Sequence, residues 1–97
     1  MKDKHHDDAM AEILLKDKDF AVELLNSILE DGEQGELLIT LRQMSKAFGG
    51  LQTVAENANL NKTQIYKTLS LDGNPALSSL MAILKVMNLR LNISCIS

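Results

Sequence analysis

The sequence predicts an all-α domain of five helices, closed by a single C-terminal β-strand. Three observations carry this. Apolar residues recur at three- and four-residue spacing from residue 17 to residue 88. Turn residues divide that stretch into short segments: Asp31-Gly32, Gly49-Gly50, Asn59 and Asp72-Gly73-Asn74-Pro75. From residue 89 the period changes to two, with Leu89, Leu91, Ile93 and Cys95 alternating with Arg90, Asn92 and Ser94.

The 97 residues suffice for one domain, 1–97, and not two. Apolar residues make up 45% of the chain, so a core can form. Only Phe and Tyr supply aromatic rings, so Leu, Ile, Met and Val must fill it. Residues 1–10 are charged throughout and predict a mobile tail rather than a signal peptide. His5 and His6 lie in that tail, and adjacent residues do not share a helix face, so no metal site is expected. The lone Cys95 excludes an intrachain disulfide. No apolar run reaches the length of a membrane span, and a cytoplasmic location is expected.

The first helix covers the acidic segment 17–31. Ala21, Leu24, Leu25 and Ile28 form its apolar stripe, Asp17 suits the N-cap, and Gly32 is expected to end it in the left-handed conformation. The second covers 35–48, with Leu37, Leu41, Met44 and Phe48 in one stripe and Leu38 beside it. Arg42 and Lys46 are four apart and share its exposed face. A short third helix runs over 52–58 and a fourth over 62–70. The fifth covers 76–88, with Pro75 at its first position and Leu77, Leu80, Met81 and Leu84 on its buried face. The strand, 89–96, has no convincing partner segment within the chain. An unpaired strand leaves backbone groups unsatisfied, so the same strand of a second copy is the simplest partner, giving a two-fold dimer through Leu89, Leu91, Ile93 and Cys95. A frayed tail, or pairing with residues 9–15, is the alternative.

Residues 52–70 have the layout of a helix-turn-helix: a small-residue helix around Ala55, a turn at Asn59, a cap at Asn61, and core positions Ile65 and Leu69. Gln64, three residues after Asn61, completes a capping-box pattern. On the second helix Lys62, Thr63, Tyr66 and Lys67 fall together opposite the core side. In this geometry the N-terminal residues of the second helix meet base edges in the major groove of double-stranded DNA. Lysine can donate to guanine, and threonine offers a hydroxyl and a methyl. Lys67, Gln52 and Thr53 are phosphate candidates, and Arg42 and Lys46 lie near enough to DNA to contribute.

Charge is distributed unevenly. Residues 1–35 hold four Lys/Arg and ten Asp/Glu, a net of −6, whereas residues 36–97 hold six and three, a net of +3. The two halves are therefore expected to face different partners, the alternative being a solvated acidic helix with no partner. Enzymatic chemistry finds no support: Ser45, Ser78 and Ser79 have no partner His, no phosphate-binding glycine pattern occurs, and no cofactor is implied.

With these residues in view, the chain resembles the HigA-like antitoxins, an antidote subfamily of Xre-type helix-turn-helix proteins with a lambda-repressor-like fold. The resemblance rests on FAVELLNSILEDGE (20–33), LNKTQIYKTLSLDGNP (60–75) and residues 76–91. It implies a type II toxin–antitoxin role: neutralising a RelE/ParE-fold toxin encoded alongside, and repressing the shared operon as a homodimer. By position, Lys62, Thr63, Tyr66 and Lys67 would face the operator. Gln52 stands where relatives often carry Ser or Thr, which leaves Thr53 to cap the third helix. A stand-alone Xre-type regulator without a toxin is the alternative.

Overall fold

A computed structural model describes residues 11–13 and 15–96. The expectations for residues 1–10, including the mobile tail and the His5-His6 pair, lie outside the described residues. Residues 11–13 and 15–16 are helical. Five α-helices follow: α1 (Lys18–Asp31), α2 (Gln34–Ser45), α3 (Leu51–Asn57), α4 (Lys62–Thr68) and α5 (Leu77–Val86). A 3-10 turn, Lys46–Phe48, continues α2.

Each helix boundary has a local cause. Asp17 caps α1, its Oδ1 accepting from the Phe20 N–H at 3.0 Å. The expected left-handed stop at Gly32 is not formed. Gly32 is extended (φ −90°, ψ 178°), and its N–H donates to the Ile28 carbonyl. The chain runs extended through Gly32 and Glu33 and enters α2 directly at Gln34. Left-handed geometry appears instead at Gly49 and Gly50, both at φ +96°. A Cβ at Gly49 would also press on Thr53 Cγ2 at 3.0 Å.

Gly50 occupies the N-cap of α3, and no side chain caps that helix. Thr53 therefore does not take over the cap, and α3 begins one residue before Gln52. At the fifth helix Leu77 is the first helical residue and Ala76 its N-cap, so Pro75 lies two residues before the position expected for it.

The core is a single cluster. Leu38, Leu41, Val54, Ile65, Leu69 and Ile83 have no exposed surface, and Ala21, Leu25, Met44, Ala55, Leu84 and Met87 pack with them. The α1 helix packs on α2, and α3 packs on α2, α4 and α5, which places the short α3 at the centre. Two buried hydroxyls are satisfied locally. Thr40 donates to the Glu36 carbonyl at 2.8 Å, and Ser45 donates to the Arg42 carbonyl at 2.6 Å.

The expected buried face of α5 is rotated in the structure. Of the four residues expected there, Leu84 is buried and Leu80 half-buried against the core, but Leu77 and Met81 are exposed, at 63% and 51%, and Ile83 and Met87 are buried in their place. Both stripes have helical spacing because α5 is apolar on most sides, so spacing alone did not select between them.

The C-terminal strand is a second correction. Residues 89–96 have no regular secondary structure, and no strand occurs among the described residues. Leu89 packs against the core, but Leu91 is 41% exposed and Ile93 95% exposed. A ladder needs a second strand, and none occurs among the described residues.

Candidate nucleic-acid interface

The α4 helix is fixed by its own ends. Asn59, at φ +61°, makes the turn from α3. Asn61 then caps α4 reciprocally. Its Oδ1 accepts from the Gln64 N–H at 2.7 Å, and Gln64 Oε1 accepts from the Asn61 N–H at 3.0 Å. The capping box legible in the sequence is thus formed in full. Ile65 and Leu69 have no exposed surface and anchor the helix to the core. Thr68, three residues on from Ile65, is half-buried.

With that side anchored, the opposite one faces outward. Lys62, Thr63, Tyr66 and Lys67 are all exposed, and together with Ser70 they line one shallow concavity. Four of the residues predicted as DNA-reading therefore come together on a single surface. Arg42 joins them from α2: its guanidinium carbon lies 5.4 Å from the centroid of the Tyr66 ring, within cation–π range. Lys46 is exposed in the 3-10 turn. Gln52 is exposed and Thr53 half-buried beside Gly49, in the first turn of α3, so neither lines that concavity.

Sequence reasoning missed two contributors. Ser70 belongs to the concave surface, and its hydroxyl donates to the Lys67 carbonyl at 3.0 Å, closing the end of α4. A serine just past a helix end is a weak signal, because such residues are common there. The second is Gln34, whose Nε2 donates to the Gly73 carbonyl at 2.7 Å. This bond ties the loop after α4 to the start of α2 across 39 positions of sequence, a separation no local pattern reveals. Gly73 is needed at that point, since a Cβ would lie 2.5 Å from the Thr68 carbonyl oxygen.

Among the described residues no group of His, Cys, Asp and Glu could hold a metal ion. No helix among them is long and apolar enough to cross a membrane.

A family model described as "probable addiction module antidote protein" matches residues 5–95. The chain belongs to this antidote family. Membership supports an antitoxin role and implies a cognate toxin as partner. The antidote chain is also similar to an uncharacterized protein of Haemophilus influenzae, with 29% identity over 69 residues, 71% of this chain and 70% of that protein. No solved structure matches.

Proposed function

We propose that this antidote is a DNA-binding, non-enzymatic antitoxin of the HigA-like, Xre-type kind. It neutralises a RelE/ParE-fold toxin encoded beside it and represses their shared operon. The observation that carries the DNA-binding part is the joint exposure of Lys62, Thr63, Tyr66 and Lys67 on a helix whose opposite side is locked in the core.

In this reading α4 enters the major groove. Lys62 and Thr63, at its N-terminal end, contact base edges, and Tyr66 packs on a base or its methyl group. Lys67, Arg42, Lys46, Gln52 and Thr53 hold the phosphate backbone and set the register. The net charge of −3 does not oppose this, because residues 36–97 carry a net of +3 and the acidic excess lies in the first 35 residues. Two copies, joined through residues 89–96, would place two α4 helices on a palindromic operator. Exposed Leu91 and Ile93 support that role, since apolar side chains left in water on an extended segment are suited to cover by a partner.

The deciding experiment is operator footprinting with the Lys62→Ala/Thr63→Ala double variant. Both side chains are exposed, so the fold should persist while sequence-specific protection of the upstream region is lost. An unchanged footprint at unchanged affinity would exclude α4 as the reading helix.

A further inference from the structure

A groove on a different part of the molecule has no role in the reading of DNA. It has a volume of about 370 Å³ and is built from α1, α2, α5 and the segment after α5. Buried Leu25, Leu41 and Leu84 line it, as do exposed Val22, Leu29 and Leu91. It shares no residue with the concavity around Lys62 and Tyr66, so both surfaces can be occupied at once.

The exposed lip on α1 is unusual for its chemistry. Leu29 is 57% exposed and Val22 41%, on a helix that already buries a separate apolar stripe of Ala21, Leu25 and Ile28. At about 100° per residue, Val22, Asn26 and Leu29 form the edge next to that stripe. Asp19, Glu23 and Glu30 fall together on the flank immediately beyond it, and all three are exposed. The groove therefore has a largely apolar lining in which Arg90, on the segment after α5, is the one charged side chain, and a row of carboxylates on the α1 flank just outside it.

That combination selects its occupant. Residues 17–33 hold six Asp/Glu and a single Lys/Arg. A second copy seated with its own α1 against this groove would bring a second such segment beside the first, an unfavourable approach of like charges. A helix with an apolar stripe bordered by Lys or Arg meets both features at once. We propose that this groove is the toxin-docking site, and that it seats an amphipathic, basic-flanked helix of the cognate toxin. The proposal rests on the antitoxin reading above. It adds the surface, the residues and the chemistry of the partner segment.

Two arms test it. In the first, the full chain is titrated by NMR with two synthetic helical peptides of about four turns. They share one leucine stripe, flanked by Lys in one peptide and by Glu in the other. Shifts at Val22, Leu29 and Leu91 with the Lys peptide alone are expected. Equal response to both peptides, response to neither, or shifts elsewhere would overturn the proposal. Shifts at Val22 and Leu29 on raising protein concentration without peptide would mean that a second copy fills the groove, which also overturns it; a shift at Leu91 alone reports the dimer contact through residues 89–96.

In the second arm, the purified product of the adjacent reading frame is measured against the wild type, Leu29→Lys, Glu30→Lys and, as a control, Leu77→Lys. Leu77 is similarly exposed but does not line the groove. The two groove variants should weaken binding about tenfold or more, with melting curves and the Leu77→Lys affinity unchanged. Binding of all variants alike would reject the groove while leaving the antitoxin reading intact. If the wild type does not bind that product at all, the antitoxin reading fails, and the toxin is lost as occupant with it.

Discussion

The Arg42 guanidinium lies over the Tyr66 ring, 5.4 Å from its centroid, and couples α2 to the outer side of α4. Tyr66 is 42% exposed, and this cation is the ring contact that orients it. A tyrosine free to rotate would pay side-chain entropy on meeting DNA, whereas one already held by Arg42 pays less.

The first prediction concerns that pair. In a double-mutant cycle of Arg42→Ala and Tyr66→Ala, the coupling energy should be about 0.5–1 kcal/mol, as for cation–π pairs at exposed sites. Chemical denaturation of the four proteins gives the value. A coupling indistinguishable from zero would show that the two side chains do not support each other in solution.

The capping box should be the most sensitive exposed feature of α4. Asn61→Ala removes the side-chain acceptor for the Gln64 N–H and should cost about 1 kcal/mol of stability. Gln64→Ala removes only the return bond to the Asn61 N–H and should cost less. Urea midpoints of the two variants, compared at equal slope, decide the order; the reverse order would mean that the crossed bonds are not the main support.

Gly49→Ala should destabilise more than either. An alanine at φ +96° meets the steric penalty of the left-handed region, about 1–2 kcal/mol, and its Cβ also presses on Thr53. A fall in thermal midpoint is expected, and an unchanged midpoint would mean that the backbone after the 3-10 turn can relax.

Phosphate contacts leave a signature in salt. Lys67→Ala should weaken binding to operator and to unrelated duplex alike, and lower the slope of log affinity against log salt by about 1. A loss confined to the operator would reassign Lys67 to base reading.

Dimerisation through the C-terminal segment is tested by Leu91→Asp. Leu91 is 41% exposed in the single chain, so the fold should tolerate the change, while a charge at a covered interface is costly. Sedimentation should report a monomer, and the operator footprint should shrink from two half-sites about 34–36 Å apart to one. A variant that still sediments as a dimer places the interface elsewhere.

Where local chemistry decides a feature, the sequence was enough. Asp17, Asn59 and Asn61 act within three or four residues of themselves, and each was legible as a cap or turn. The outward set on α4 was legible too, because Ile65 and Leu69 are the apolar residues that fix which side faces in. Gly32 shows the limit even at short range: glycine permits both an extended and a left-handed stop, and the chain takes the first as it runs extended through Glu33 into α2.

The sequence by itself determined the helical class, the order of the helices, the outward-facing set on α4 and the separation of acidic from basic halves. Those follow from periodicity, capping and charge count, which depend on near neighbours. Only the tertiary structure decided which stripe of α5 is buried, that Arg42 reaches Tyr66, that Gln34 holds Gly73, and that α1, α2, α5 and the tail enclose an apolar groove. Each of these depends on how separate helices pack together, and packing is set by the whole core at once rather than by any one segment. The segment 89–96 marks the same boundary: its alternation is that of a strand, but hydrogen bonding to a partner makes one, and the described residues offer none.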